Sequence, residues 1–349
     1  MRFGRTNVNK YLVGEQRRNP AIAGEFSMLI SDVVRSCKAI SQSVSLGKLI
    51  LRERYGTTDL KEMANGLFLH HCDWGGHLAA ISSAEMDSIY TPPSDERRGN
   101  YLLLFDALDG SSNIDINLTV GSIFSVLRCP EATCNTSIED FLQPGAAQVA
   151  AGYALYGSST IMVLTIGNGT HGFTLDREIG EFLLTHPNLD IPADTQSFAI
   201  NTSKERFWEP PIRRYVEECL AGQSGIRGKD FNMRWAASMV ADVHRILMRG
   251  GVFLYPRDTR DPETPGRTDL LHKANPMAML IEQAAGWAST GYERISGIVP
   301  TGLHQKTPVI LGSRNEIERI ERYHQEFLNG EDKPFSSPLF STRTLFRTN

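Results

Sequence analysis

A run of five apolar residues, Tyr101 to Phe105, leads straight into Asp106-Ala107-Leu108-Asp109-Gly110-Ser111-Ser112, and apolar residues return in alternation at Ile116, Leu118 and Val120. Alternation with a period of two marks extended chain, so the segment reads as strand, acidic turn, strand. Downstream, AAQVAAGYALYG, TIMVLTIG and THGFTLD are short strand candidates separated by turn-rich positions at 157–159 and 167–169. The middle of the chain therefore folds as a multistranded sheet.

Helical spacing brackets that sheet. From Pro20 to about Ile50, Phe26, Ile30, Val33, Cys37, Ile40 and Val44 recur every three or four residues, the stripe of an amphipathic helix, which Gly47 interrupts. Cys37 lies on the stripe and reads as a core thiol. DLKEMANGLFLHHCDWGGHLAAI reads as a second helical stretch, and its His70, His71 and His77 lack a His-Glu-x-x-His pattern, so they read as structural rather than zinc-binding. After the polar HPNLDIPADTQSFAIN, helices are expected around 204–221 and 232–249, with Asn232 as the cap of the second. The strand GVFLYP, a helix after Pro276, the strand VILG and a helix from about Asn315 to Leu328 follow. The order predicts a layered α+β protein with a boundary near 190–200.

With 349 residues the chain can form two domains or two packed halves. Its 36 basic and 40 acidic residues leave a formal charge of −4 with no long basic run, which argues against nucleic acid as the main partner. Five scattered cysteines with no Cys-x-x-Cys pair suit a reducing compartment, and cytoplasm is the expectation. No apolar stretch runs long enough to predict a membrane anchor.

In the acidic turn, two carboxylates flank a backbone carbonyl at the end of an apolar strand. Asp106, Asp109 and the Leu108 carbonyl could gather around Mg²⁺ while Ser111, Ser112 and nearby backbone donors receive phosphate oxygens. Acidic turns also arise without function, so the turn alone leaves phosphoryl transfer and a structural role both open.

Its extension, DALDGSSNIDINLTVGSIFSVLRC, resembles the signature region of class 1 fructose-1,6-bisphosphatases. WGGHLAAISSAEMDSIY, FLQPGAAQVAAGYALYGSST, RGKDFNMRWAASMVADVHRIL and NPMAMLIEQAAGW carry the resemblance over most of the chain. It implies a layered sugar-phosphatase fold of the fructose-1,6-bisphosphatase/inositol monophosphatase type, with an N-terminal part (1–195) holding the acidic metal site and a C-terminal part (196–349) supplying the sugar-phosphate pocket. It further implies a homo-oligomer, commonly a tetramer, and hydrolysis of fructose 1,6-bisphosphate to fructose 6-phosphate and phosphate in gluconeogenesis or the Calvin cycle. Mg²⁺, with Mn²⁺ as the alternative, would be held by Glu85, Asp106, the Leu108 carbonyl and Asp109, and Glu85 would help activate water. Asp109, Gly110, Ser111 and Ser112 would surround phosphate. Asn201, Tyr255 and Arg267 would contact the sugar phosphate, as would Arg234, which would reach across a subunit interface.

Against the family pattern, Ala84 stands where a carboxylate is expected, Lys61 where an aspartate is, and Lys273 where a glutamate is. Asp269 replaces an expected arginine, while His272 and Trp235 replace tyrosines. Lysines entering the acidic cavity would repel divalent ions, so reduced metal occupancy and weakened activity are expected. The alternatives are a catalytically silent sugar-phosphate-binding or regulatory homologue, and a phosphatase acting on another sugar or inositol phosphate. Glu282, nine residues beyond Lys273, reads as a helix or subunit-contact residue rather than a replacement ligand.

Overall fold

The structure, a computed structural model, describes residues 4–18, 24–47, 57, 59–93, 98–130, 136–260 and 266–331. Cys134 and the chain beyond 331 lie outside the described residues, as do the two ends of the stretch expected to be helical between Pro20 and Ile50.

Helices α1 (Val8–Arg18), α2 (Gly24–Leu46) and α3 (Leu60–Cys72) precede a sheet built from β1 (Leu78–Ser83), β2 (Tyr101–Asp109), β3 (Val120–Arg128), β4 (Ala150–Tyr156), β5 (Thr160–Thr165), β6 (Thr170–Asp176) and β7 (Glu181–Leu189). Among the described residues it has seven strands in sequence order, with β1 parallel to β2 and every later pair antiparallel. One face packs on α2 and α3, where the predicted stripe of Phe26, Ile30, Val33, Cys37 and Ile40 meets Phe105 and Phe124. Phe68 of α3 stacks on Phe105 with ring centroids 4.4 Å apart.

The second half supplies β8 (Ser197–Ile200), α4 (Pro210–Leu220), β9 (Asn232–Met233), α5 (Met239–Arg249), β10 (Val252–Tyr255), β11 (Thr268–Asp269), a π-helical turn (Leu270–Ala274), α6 (Asn275–Glu282), β12 (Trp287–Ser289), β13 (Lys306–Thr307), β14 (Val309–Gly312) and α7 (Arg314–Leu328). Its main sheet runs β12-β14-β10-β8-β9, and β11 pairs with β13. Val243, Ile246 and Leu247 of α5 and Met277 and Ile281 of α6 fill the space between Ile123, Tyr153 and Val163 of the first sheet and Phe253, Val309 and Leu311 of the second. Ile212, Tyr215, Ile317 and Tyr323 of α4 and α7 cover the outer face of the second sheet. The layers are thus helix, sheet, helix, sheet, helix. All nine residues of β2 are buried, because this strand lies under cover on both faces.

Several expectations shift. HLAAI is not helix: α3 ends at Cys72, Gly76 takes φ +64, and β1 starts at Leu78. Ile116 and Leu118 do not belong to the returning strand but are 65% and 54% exposed. The chain loops there through Asn117 at φ 57, and pairing with β2 resumes only from about Val120. HPNL closes β7, which runs to Leu189 ahead of the expected boundary. Thr202–Phe207 is a 3₁₀ segment ahead of α4. Asn232 is drawn into β9, where its N–H donates to the Gln196 carbonyl, so the cap of α5 is Ser238.

Candidate functional site

Asp106 and Asp109 are three residues apart, and in a regular strand such residues face opposite sides of a sheet. Here Asp106 pairs with Ile123 and Asp109 with Gly121, three steps on β2 against two on β3. The extra residue is a β-bulge, which shifts the phase and turns both carboxylates to one side. Asp106 Oδ1 accepts the Leu108 N–H at 3.1 Å. Asp109 Oδ2 accepts the Ser238 hydroxyl at 3.1 Å and the Val240 N–H at 3.2 Å, which ties the turn to the first turn of α5. Gly110 takes φ +76, and a Cβ there would meet Ser238 Cβ at 3.0 Å.

From the opposite side comes Lys273. Its Nζ lies 2.6 Å from Asp106 Oδ2 and 3.0 Å from Asp109 Oδ1. Burial pulls the Lys273 ammonium toward neutrality, but the Asp109 and Asp106 charges outweigh it and hold its pKa above the ordinary lysine value. Burial likewise pushes Asp109 upward, and Lys273 with the Ser238 and Val240 donors brings it below the usual carboxylate range. Lys61, in the first turn of α3, sits 2.5 Å from Glu85 Oε1. Both lysines therefore take carboxylates as partners, and between them they pair with Glu85, Asp106 and Asp109.

The π-turn that presents Lys273 is braced from beneath. Asp269 Oδ1 accepts the His272 N–H at 3.0 Å and lies 2.8 Å from its Nδ1, while His272 Nε2 lies 2.8 Å from Ser82 Oγ. Asp269 also meets Lys306 at 3.3 Å and His304 at 3.5 Å. Burial would raise its pKa, but His272 and Lys306 hold it below the ordinary carboxylate range. Serine, histidine and carboxylate in a line suggest a nucleophilic triad, yet Ser82 and His272 are wholly buried, so no substrate reaches them. Asp269, His272 and His304 also cluster closely enough to suggest a metal site. Their ring and carboxylate atoms already satisfy one another, together with Ser82, Lys306 and the Met86 carbonyl.

The acidic turn, both lysines, Asp269 and Lys306 wall a cavity of about 520 Å³ between the two halves. Of the sequence-predicted residues, Glu85, Asp106, Asp109, Asn201, Tyr255 and Arg267 line it, together with Ala84, Lys61 and Lys273. Asn201 caps the 3₁₀ segment through Ser203, and Arg267 lies 3.5 Å from Asp258. Trp235, Phe253 and Tyr255 hold nearly parallel rings on one wall. Leu108 is buried beneath the turn, and Gly110 and Ser112 lie outside the lining. The Ser111 backbone opens the short 3₁₀ turn after β2. Arg234 faces a separate cavity of about 470 Å³ with Arg245 and Arg249. Glu282 forms a bidentate pair with Arg294 at 2.8 and 2.7 Å, a structural role. Sequence reasoning missed Ser238 and Lys306. A serine directly before the apolar periodicity of α5 was the available signal for the first.

The resemblance implies a divalent ion among Glu85, Asp106, the Leu108 carbonyl and Asp109. The oxygens have the right chemistry, and Mg²⁺ would need them at about 2.0–2.1 Å. Lys273 Nζ already stands between Asp106 and Asp109 at hydrogen-bond distance, so the same gap cannot also hold a bridging ion. At 4 Å and an effective dielectric near 20, two unit charges repel by about 4 kcal/mol, and a divalent ion doubles that. As arranged, the acid pair does not fit the metal.

A five-layer body whose acidic strand end opens onto a cavity rimmed by Arg267, Asn201 and Tyr255 is a sugar-phosphatase fold. Residues 6–187 match the N-terminal domain of fructose-1-6-bisphosphatase and residues 191–325 its C-terminal domain. The chain is 54% identical over 350 residues to the class 1 fructose-1,6-bisphosphatase of Hydrogenophilus thermoluteolus, covering 97% of both. It is 54% identical over 355 residues to that of Methylacidiphilum infernorum, covering 99% of both. Leishmania major fructose-1,6-bisphosphatase superimposes in its holo form with a TM-score of 0.83 at 37% identity, over 91% of this chain and 99% of that one. Its T-state does so with a TM-score of 0.84 at 36% identity, over 92% and 99%. The chain belongs to the class 1 fructose-1,6-bisphosphatase family.

Proposed function

We propose that the chain hydrolyses the 1-phosphate of fructose 1,6-bisphosphate, releasing fructose 6-phosphate and phosphate. The observation that carries this reading is the single cavity in which the Asp106–Asp109 turn and the Asn201, Tyr255 and Arg267 group share one wall system. A bisphosphate needs two anion-receiving ends joined by a sugar-sized space. Arg267 with Asn201 and Tyr255 receives the 6-phosphate, and the ring wall of Trp235 and Phe253 borders the sugar. At the other end, the Lys273 and Lys61 ammonium groups face the 1-phosphate. Glu85 orients water for attack on phosphorus, the bond from phosphorus to the C1 oxygen breaks, and the proton given up by the water passes to that oxygen, leaving a free C1 hydroxyl and inorganic phosphate. Positive charge fixed before the reaction then meets the charge that spreads over the phosphoryl oxygens. The backbone of Gly110, Ser111 and Ser112 belongs to the same reading as a flank of the phosphate end.

The division near residue 195 separates the part that carries the acids from the part that carries the sugar pocket. Arg234, turned to another cavity, suits a role toward a neighbouring subunit of a homotetramer. Among the described residues no helix is long and apolar enough to cross a membrane, and a cytoplasmic setting in gluconeogenesis or the Calvin cycle goes with this reading.

Purified protein given fructose 1,6-bisphosphate should release one phosphate and yield fructose 6-phosphate, and Asp109→Asn should lower the rate at least about tenfold. Substrate binding with no phosphate release above the mutant would replace hydrolysis by a silent sugar-phosphate-binding role.

A further inference from the structure

Lys273 and Lys61 each stand against acids that the family resemblance assigns to metal. An ammonium has three N–H groups, and Lys273 gives two of them to Asp106 and Asp109. One remains for the cavity, onto which the side chain opens with 26% of its surface exposed. The surrounding structure fixes this lysine. Asp269, His272 and Ser82 anchor the π-turn below it, and Ser238 and Val240 hold Asp109 in place from α5.

The charge of the wall points the same way. Lys61, Arg267, Lys273 and Lys306 face the cavity alongside four carboxylates, Glu85, Asp106, Asp109 and Asp269. The formal balance is zero. Carboxylates at positions 61 and 273 would shift it by four units toward negative, and a phosphate dianion could then enter only with added cations. With lysines at both positions, no added cation is required.

We propose that Lys273, seated between Asp106 and Asp109, and Lys61, held by Glu85, are tethered cations that take the place of divalent metal, so that this cavity binds the phosphate of a sugar bisphosphate without a metal ion. The inference rests on reading the cavity as a sugar-bisphosphate site, and the experiment separates the two claims.

Calorimetric titration of the whole protein with fructose 1,6-bisphosphate, and separately with inorganic phosphate, is run in EDTA and again in Mg²⁺. Binding in EDTA should match binding in Mg²⁺ to within about twofold, and Lys273→Gln should weaken it at least about tenfold. Binding of either ligand only in Mg²⁺ would overturn the inference while leaving the sugar-bisphosphate reading in place. Phosphate binding in EDTA that depends on Lys273, with no binding of the bisphosphate, would leave the inference standing and remove that reading. Binding of neither ligand under either condition would overturn both. If Lys273→Gln fails to fold, Mn²⁺ titration of the wild type by electron paramagnetic resonance decides. No Mn²⁺ held by the acid pair supports the tethered cation, and a tightly held Mn²⁺ overturns it.

Discussion

Lys273 is the residue on which the site turns. Asp106 and Asp109 are 1% and 6% exposed, and two carboxylates this deeply buried need a cation between them. Lys273→Gln leaves both acids uncompensated and should cost about 3–5 kcal/mol of stability in urea denaturation. Ala84→Glu combined with Lys273→Glu restores the acids expected from the family pattern, and its melting temperature should rise when Mn²⁺ is added while that of the wild type stays fixed. Asp242 reports independently on the first turn of α5. Burial raises its pKa to about 6, opposed by the Ala236 N–H and by Arg245 and assisted by Asp109. The folded state therefore holds this proton more tightly than the unfolded chain does. The contribution of Asp242 to stability is full below about pH 4 and is lost as pH rises through about 6. Asp242→Asn keeps an acceptor for Ala236 and should flatten that dependence, stabilising the protein at pH 7 by up to about 3 kcal/mol. Denaturation midpoints across pH 4 to about 7.5 would show it.

At the scale of elements, two irregularities build the site. The bulge in β2 brings Asp106 and Asp109 to one side, and the π-turn before α6 carries Lys273 to meet them. Neither was legible in the sequence. Period-two alternation marks a strand but says nothing of an inserted residue, and a π-turn has no side-chain signature of its own. Where apolar periodicity was strong, the elements came out as expected. The stripe from Phe26 to Ile40 is buried, and VILG and the last helix stand where they were read. Ile116 and Leu118 misled because apolar character in a loop mimics alternation once pairing has ended. In the second half, α4 and α7 are locked by Arg227, whose Nη2 lies 2.5 and 2.7 Å from the Glu316 oxygens, with the Tyr215 hydroxyl donating to the same carboxylate at 3.1 Å. Both charged side chains are almost fully buried. Arg227→Met takes the nearest cation from buried Glu316, leaving it Lys229 at 3.8 Å and Arg319 at 3.9 Å, and should cost about 2–4 kcal/mol in equilibrium unfolding, with a smaller loss when Glu316→Gln is added.

For the whole molecule, the stacking of helix and sheet layers and the family followed from the long resemblance. The acids were legible as single residues, and so were Lys61 and Lys273. What the lysines do was not, because sequence order carries no distance between residue 61 and residue 85, or between 273 and 109. The structure supplies those distances, and they place the Lys61 and Lys273 ammonium groups against Glu85, Asp106 and Asp109. The central claim is that an ammonium, not a metal, sits between Asp106 and Asp109 when the cavity is filled. The direct measurement is anomalous diffraction at the manganese edge from crystals soaked in Mn²⁺ and fructose 1,6-bisphosphate. Phosphate density against Lys273 with no anomalous peak between the two aspartates is the expected result. A manganese peak bridging Asp106 and Asp109, with Lys273 swung out of the gap, would contradict it.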